Sequence, residues 1–409
     1  MESSVTPVHE PCVVVGAGPV GLVAALALRR RGIDVLVVEA EPEDRQRPGS
    51  RALVLAYPTL RRLDAVLPGL GRAVTEAGSG KGGGSFAAFY EGKRVFQLRM
   101  PARSGAKQVV ASLPQKVTEK IVYDAAVKHG VRFRWNCPVT DIATDADGAT
   151  ITVASGERIR TPYVIAADGA RSAVRKALGI SMSGHTDATP FLIVDVDEHP
   201  DGSLVPGFFH YGTPELGGRN VLRIPFVGGV RVDLQCLATD DAEYLASPDG
   251  LREWLPKVVD PWYADHVQWV STYRFTQVVA DSYTDPHRRV LLAGEAAHLF
   301  APFGARGLNS GVMDATDAAE AVSGALTAPD RAAARRLVDR CAAHRRAWGL
   351  RNRAVSNRAL RMMRADDPRM RARRTLAARV APAFWPAGAW LANGPLQLAL
   401  PRLRPLGIY

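Results

Sequence analysis

A glycine pattern with the spacing of a phosphate-binding turn lies near the start of the chain. Residues 16–21, GAGPVG, fit G-x-G-x-x-G, and the residues that carry the pattern are Gly16, Gly18, Pro19 and Gly21. The first glycine permits a tight turn, the second lets a pyrophosphate approach the backbone, and the third lets a helix pack closely on a strand. The pattern predicts that this helix runs from the turn to about Arg31.

The flanking residues fit the same purpose. An apolar stretch at 12–15 predicts a buried strand before the glycines, and a second predicted strand, 33–38, ends at Glu39. A carboxylate at that position accepts hydrogen bonds from a ribose 2′-hydroxyl and repels a 2′-phosphate. The whole unit therefore predicts dinucleotide binding, without distinguishing FAD from NAD.

Two later stretches also place an acid beside a glycine at the end of a predicted strand. Residues 162–175, PYVIAADGARSAVR, contain Asp168-Gly169. Residues 288–315 contain Gly294-Glu295, then a loop rich in proline and glycine, and then a helix predicted to start near Asn309. Three such stretches in a fixed order are more specific than any one of them alone.

In this order the three motifs resemble those of the class A flavoprotein aromatic monooxygenases, typified by p-hydroxybenzoate hydroxylase and 3-(3-hydroxyphenyl)propionate hydroxylase. The resemblance implies an α/β (α+β) fold with a Rossmann-like FAD-binding domain, an inserted, mostly antiparallel β-sheet substrate domain and a helical C-terminal region. The FAD-binding domain is expected at 1–75, 101–185 and 281–330, the substrate domain at 76–100 and 186–280, and the arginine-rich C-terminal region with its apolar tail at 331–409.

The resemblance also implies an activity. We expect an FAD-dependent monooxygenase that consumes NADPH or NADH and O₂ and hydroxylates a phenol-like or other electron-rich molecule through a flavin C4a-hydroperoxide. Two alternatives stay open. One is an FAD-dependent oxidase or dehydrogenase without oxygen transfer, and the other is a membrane-associated hydroxylase of a quinone-type substrate.

Site residues follow from the resemblance motif by motif. The glycine motif and Glu39 would hold the adenosine end of FAD, Arg51 would reach the pyrophosphate, and Gln115 would lie near the flavin chain. Asp168 and Gly169 would bind FAD and help receive NAD(P)H, and Glu295 would hold the ribityl hydroxyls. Gly294, beside Glu295, is also expected to bind the cofactor. The residues expected beside the isoalloxazine ring are Pro302, Gly304, Gly307, Leu308 and Asn309.

Two positions depart from the family pattern. Glu295 stands where the family has aspartate, one methylene shorter, and Arg306 stands where it has glutamine. If it points inward, Arg306 would raise the flavin's reduction potential and attract an anionic substrate. A helix beginning near Asn309 would point its positive dipole end toward the negative charge of reduced flavin.

The sequence identifies the residues that contact the substrate less clearly than those that bind the cofactor. Strand-like runs between 191 and 236 predict the antiparallel sheet. From its polar side chains we select His210, Arg223 and Tyr273, together with Arg306, as candidate catalytic residues. A phenol hydroxylase needs a group that takes the phenolic proton, and His210 or Tyr273 could do so.

The distribution of charge along the sequence bears on which partners the protein binds. The formal net charge of +11 resides in residues 331–379, where sixteen arginines face three acids and give +13. No nucleic-acid motif with interleaved aromatics accompanies them, so we predict no nucleic-acid partner.

Four widely spaced cysteines predict no metal site and a reducing, cytoplasmic setting. Membrane contact through the C-terminal tail and a homodimer are left open, and the glycine-rich segment 77–85, with Lys81, is predicted to be a loop.

Overall fold

The computed structural model describes residues 7–46, 48–78, 85–99, 110–201, 207–364 and 366–394. Within them the chain forms a mixed α/β fold of strands, longer helices and short 3₁₀ turns. The strands are β1 (Val8–His9), β2 (Val13–Val15), β3 (Leu36–Val38), β4 (Val54–Ala56), β5 (Ser85–Tyr90), β6 (Lys93–Arg99), β7 (Val110–Ser112), β8 (Arg132–Arg134), β9 (Val139–Thr144), β10 (Ala149–Val153), β11 (Arg158–Thr161), β12 (Val164–Ala166), β13 (Met182–Thr186), β14 (Phe191–Asp197), β15 (Gly207–Thr213), β16 (Arg219–Phe226), β17 (Gly229–Gln235), β18 (Val267–Tyr273), β19 (Thr276–Ala280), β20 (Val290–Leu292) and β21 (His298–Leu299).

The helices occur along the whole chain and make up most of its C-terminal third. They are α1 (Pro19–Arg29), α2 (Tyr57–Val66), α3 (Leu70–Gly78), α4 (Gln115–Lys128), α5 (Ala173–Ala177), α6 (Ala242–Ala246), α7 (Pro248–Trp254), α8 (Arg306–Leu326), α9 (Arg331–Arg364), α10 (Pro368–Val380) and α11 (Trp385–Asn393).

A parallel sheet of order β20-β12-β2-β3-β8 forms the centre of the nucleotide-binding half. Its strands β2, β3, β12 and β20 are entirely apolar and buried, as expected for a parallel sheet inside a mixed α/β core. Helix α1 begins with Gly18 as its N-cap and Pro19 in its first turn, and Gly32, with φ +78°, follows its end. Its predicted end near Arg31 is therefore two residues late.

A seven-stranded sheet of order β18-β14-β17-β16-β15-β5-β6 forms the second half. All its neighbours pair antiparallel except β15 and β5, which pair parallel. One face packs on α6, α7 and the turns after them, and the other faces the nucleotide-binding half and the C-terminal helices. The predicted fold class, with a mostly antiparallel sheet and a helical C-terminal region, is confirmed. The domain boundaries remain predictions.

The arginine-rich region is held to the rest of the fold by specific contacts. Helix α9 is 34 residues long, and its Arg345 binds Asp314 of α8 while its Arg364 binds Asp187, with N–O distances of 2.7 and 2.8 Å. On α10, Arg374 donates to the carbonyl oxygen of Met362 at 3.1 Å. Part of this charge therefore serves helix packing. Lys81 and the tail beyond residue 394 lie outside the described residues.

Candidate functional site

The three sequence motifs meet at one edge of the parallel sheet. Strands β2, β12 and β20 are adjacent, and Val15, Ala166 and Leu292 lie side by side at their carboxyl ends. Gly16, Asp168 and Gly294 therefore leave the sheet at the same edge. Ligands of open α/β sheets bind outside the carboxyl ends of the strands, so the sequence motifs converge where a ligand is expected.

The glycine turn has no room for side chains. Gly16 has φ +100°, and a Cβ there would lie 2.5 Å from the carbonyl oxygen of Ala167. A Cβ on Gly21 would overlap the carbonyl oxygen of Gly16. Gly18 offers no side chain to cap α1, and the first turn contains no acid. The backbone amides at this positive helix end are available for an anion.

Glu39 is buried behind this turn. Its Oε2 accepts a hydrogen bond from the Ala17 amide at 2.6 Å, and its Oε1 accepts one from the Glu41 amide at 3.0 Å. The carboxylate is thus fixed against the glycine turn and keeps further lone pairs for a ribose. Ribose binding by Glu39 stays a prediction.

Arg51 and Gln115 line one cavity of about 190 Å³. Their segments are joined because the Gln115 amide donates to the carbonyl oxygen of Ser50 at 2.9 Å. Arg45, which the sequence reasoning missed, lines the same cavity and donates to the Ala17 carbonyl oxygen at 2.7 Å. Two guanidinium groups beside the glycine turn provide the charge that a pyrophosphate requires. No motif spacing marks Arg45, so the sequence alone could not select it.

One oxygen of the Asp168 carboxylate has no hydrogen-bond donor in the part of the chain that the structure describes. Its Oδ2 accepts from the Val174 amide at 3.1 Å, whereas its buried Oδ1 has no hydrogen-bond partner among the described residues. Burial raises the pKa of this carboxyl above its ordinary value, although hydrogen bonds from Ser172 and Val174 oppose the shift. Gly169, at φ +78°, leaves open space beside it.

Gly294 is held by a buried ion cluster that the sequence reasoning did not foresee. The Gly294 amide donates to Asp314 at 3.1 Å, and the same carboxylate lies 2.7 Å from both His298 Nε2 and Arg345 Nε. Burial alone would raise the pKa of Asp314, but His298 and Arg345 hold it below its ordinary value. The cluster fixes the turn that presents Glu295, which is exposed at the sheet edge.

The loop from Pro302 leads into α8, which begins at Arg306, three residues before the predicted start. Asn309 is a clamp in this structure: its Oδ1 accepts from the Ala56 amide at 2.9 Å, and its Nδ2 donates to the Val54 carbonyl oxygen at 2.8 Å. The oxygen and the nitrogen of its side-chain amide are therefore both engaged in hydrogen bonds to β4. Arg306 lies near Arg351 of α9, and burial together with that charge lowers its pKa.

The remaining residues expected near the ring lie around the same helix start. Gly304 is buried with φ +81°, and a Cβ on Gly307 would meet open space. Leu308 packs against the main core from a half-buried position, and Pro302 is exposed. The start of α8 has no side-chain cap, so its amides face the loop.

The four candidate catalytic residues do not come together. Tyr273, half exposed at the end of β18, lies close enough to Glu295 and Arg51 for both charges to act on its hydroxyl, whose pKa is raised mainly by burial. His210 and Arg223 lie on the opposite face of the seven-stranded sheet, where each packs against the ring of Phe208. Burial lowers the pKa of both side chains.

A second, larger cavity of about 1220 Å³ lies between the end of α9, α10, α11 and β13. Its lining includes Arg358, Arg361 and Arg373 together with Trp390. None of the described residues that line it belongs to the three motifs. This cavity is therefore separate from the sheet edge at which the motifs meet.

The residues at the sheet edge fit FAD. The glycine cradle, the uncapped helix start, the arginine-lined cavity and the orphan oxygen of Asp168 together supply an anion site and unused acceptors. The profile of a family described as FAD binding domain matches residues 10–354.

Named relatives agree with that match. Rifampicin monooxygenase of Streptomyces venezuelae is 29% identical over 74% of this chain and 62% of its own length. The 12-dehydrotetracycline 5-monooxygenase/anhydrotetracycline 6-monooxygenase of Streptomyces rimosus is 31% identical over 75% of this chain and 61% of its own. This chain thus spans about six-tenths of the length of these relatives. The crystal structure of p-nitrophenol 4-monooxygenase from Pseudomonas putida superposes with a TM-score of 0.76 at 26% identity, covering 94% of this chain and 95% of that one.

Proposed function

Because this chain belongs to the FAD-binding domain family, we propose that it is an FAD-dependent monooxygenase that oxidises NADPH or NADH and inserts one oxygen atom of O₂ into an aromatic substrate. The observation that carries the proposal is that the ends of β2, β12 and β20, which lead into the three motifs, meet at one edge of the parallel sheet. Names of relatives that act on nitrophenol and on tetracycline intermediates support the aromatic substrate class.

We assign the binding of the cofactor to residues already described. Gly16, Gly18, Pro19 and Gly21 would receive its pyrophosphate, Glu39 its ribose, and Arg45 with Arg51 the phosphate charge. Asp168 and Glu295 would hold hydroxyl groups of the chain that links the phosphates to the flavin ring. When bound, FAD supplies the redox chemistry, accepting electrons from the nicotinamide and passing them to O₂.

The chain's own task at the reacting end is to orient the substrate and to exclude water. Phe191, Phe275 and Phe303 form an aromatic cluster with ring centroids 5.1–5.4 Å apart. All three are buried, and Phe303 comes from the loop before α8 whereas Phe191 comes from the sheet. We assign this cluster to one end of the proposed cleft, where its buried rings would exclude water.

The cysteines and the helices bear on where in the cell the protein is located. All four cysteines are free thiols, which supports a reducing, cytoplasmic location. Over the residues that the structure describes, no helix combines the length and apolarity needed to span a bilayer. A homodimer remains a prediction.

The test is turnover of the FAD-loaded protein with NADH or NADPH, O₂ and a panel of phenols. We expect NAD(P)H oxidation to accelerate when an accepted phenol is added, and mass spectrometry to find one atom from ¹⁸O₂ in the product. NAD(P)H oxidation that yields only hydrogen peroxide across the panel would contradict the proposal and favour an oxidase.

A further inference from the structure

On the face of the seven-stranded sheet that packs toward the rest of the molecule, here called the cleft face, three cross-strand rows matter. The register aligns residues of one face into a first row, a middle row and a third row. The first row consists of Tyr273, Phe191 and Gln235, the middle row of Ser271, Ile193, Asp233, Leu222 and Phe209, and the third row of Trp269, Asp195, Arg231 and Ile224.

The alternation of β17 fixes which face these residues occupy. Val230, Val232 and Leu234 pack with Trp254 on the far face. Since successive side chains of a strand point to opposite faces, Asp233 points toward the cleft, as Arg231 does.

Two of the rows are covered by the opposite half of the molecule. Over the first row, Phe303 lies 5.4 Å from Phe191 between ring centroids. Over the third row, Arg231 donates to Ser50 Oγ at 2.6 Å and to the carbonyl oxygen of Arg51 at 2.8 Å. Asp233 lies between these two contacts.

The middle row, here called the floor, is apolar apart from Ser271 at one end and a single carboxyl group, that of Asp233, at its centre. Asp233 is 2% exposed, and its buried Oδ1 has no hydrogen-bond partner among the described residues. Its charged neighbours on the sheet are Arg231 on the same strand and Asp195 on β14. Arg231 is committed to Asp195, with an Nε–Oδ1 distance of 3.0 Å, so within the described ranges Asp233 has no cation of its own.

We propose that Asp233 is the residue that binds the substrate hydroxyl and accepts its proton. The inference deepens the proposed function and rests on it, because it takes the substrate to be a phenol. An aromatic ring fits an apolar floor of isoleucine, leucine and phenylalanine, and an orphan carboxylate oxygen needs a donor such as a hydroxyl group. His210, which the sequence offered for this proton, lies on the other face of the sheet.

The proton transfer balances without another reactant. The O–H bond of the phenol breaks, its electron pair stays on the phenol oxygen, and the proton forms an O–H bond with the carboxylate of Asp233. The phenolate is the more nucleophilic form. Burial, together with Asp195, raises the pKa of Asp233 to about 7 against the opposing charge of Arg231, which suits a proton acceptor near neutral pH.

Binding of two matched probes to the FAD-loaded protein tests the inference without turnover. The probes are 4-methylphenol, whose hydroxyl stays protonated below about pH 9 as tyrosine's does, and 4-methylanisole, which lacks that proton. Dissociation constants are read from the change in flavin absorbance between pH 5.5 and 8.5. The variants are Asp233→Asn and, as a matched control on the same sheet, Asp197→Asn, whose carboxylate pairs with Gln268 near solvent.

We expect wild type and D197N to prefer 4-methylphenol, and the preference to grow about tenfold as the pH rises through 7. In D233N the preference should no longer depend on pH. A flat preference in wild type, or a pH-dependent one that survives in D233N, would overturn the inference. If D233N does not bind FAD, the wild-type pH dependence decides alone. Failure of the proposed function would appear separately, as bound FAD without an oxygenated product.

Discussion

The edge of the parallel sheet and the floor of the seven-stranded sheet, which we propose as the two walls of one cleft, are built on different principles. The edge uses backbone: glycines without room for a Cβ, helix starts without side-chain caps, and carboxylates that fix amides. The floor uses side chains whose direction depends on strand register, such as Asp233 and Arg231. A cofactor shared by a family can be held by backbone, whereas the substrate must be distinguished by side chains.

This contrast between backbone and side chains predicts which properties a substitution at the edge or on the floor will change. Changes at the edge should damage stability and cofactor binding together, because the edge is part of the main core. Changes on the floor should affect substrate binding and pH dependence while FAD stays bound. The four predictions that follow run from the largest expected effect to the smallest.

Asp314→Ala should cost the most, about 3–5 kcal/mol of unfolding free energy. It leaves the buried Arg345 with only its 3.4 Å contact to Asp317, and it leaves the Gly294 amide without its acceptor. Denaturant unfolding of the apoprotein measures this loss. The control is Asp339→Asn, whose partly exposed carboxylate lies 2.7 Å from Arg288, and its loss should cost below about 1 kcal/mol. Equal losses in the two variants would show that the buried cluster contributes no more to the unfolding free energy than a partly exposed ion pair does.

Gly21→Ala should cost about 1–3 kcal/mol and weaken FAD binding at least tenfold, since the added methyl group pushes against the Gly16 carbonyl oxygen. Fluorescence titration with FAD and denaturant unfolding measure the two effects. For unfolding alone, Gly307→Ala is the matched control, because its Cβ meets open space. Normal FAD affinity in G21A would remove the role given to the close turn.

Asp233 should make stability depend on pH. Its pKa is raised in the folded chain, so its favourable contribution is complete below the unfolded value near 4 and is lost as pH rises through about 7. Relative to wild type, D233N should therefore gain about 2 kcal/mol between pH 5 and pH 8.5. Thermal unfolding at both pH values measures the gain. D197N should show no such gain, and a constant difference between D233N and wild type would contradict the buried environment of Asp233.

His210→Gln should change kcat/KM by less than about twofold, or about 0.4 kcal/mol. His210 lies against Phe208 and Phe89 on the far face, and glutamine can still accept the hydrogen bond from the Gly92 amide. Steady-state kinetics with an accepted phenol measures the ratio. A loss of a hundredfold or more, typical of a general acid–base residue, would return His210 to the candidates.

Much of the edge could be predicted from the sequence. The resemblance to the aromatic monooxygenases is confirmed at the level of the family, and the strands before Gly16, Asp168 and Gly294 are neighbours in the structure. Glycine motifs are legible because backbone contact demands a specific residue at a specific spacing. The start of α8 was placed three residues late because Asn309 reads as a cap, whereas its side chain joins α8 to β4.

The floor could not be predicted in the same way. The face on which a strand residue lies follows from pairing with strands far away in sequence, as for Asp233 between Ile193 and Leu222. Without that register, His210 and Arg223 were better candidates by residue type than Asp233. The contact between Asp314 and Arg345 could not be predicted from the sequence either. The two residues are 31 positions apart and meet only when α8 packs on α9.

A crystal structure of the FAD-loaded protein with 4-methylphenol bound would decide most directly whether the two walls enclose one reaction site. We expect FAD along the edge formed by β2, β12 and β20, and the phenol on the middle row with its oxygen within hydrogen-bonding distance of the Asp233 carboxyl group. A phenol bound elsewhere, such as in the arginine-lined cavity beside α10, or a flavin remote from that row, would contradict the assignment.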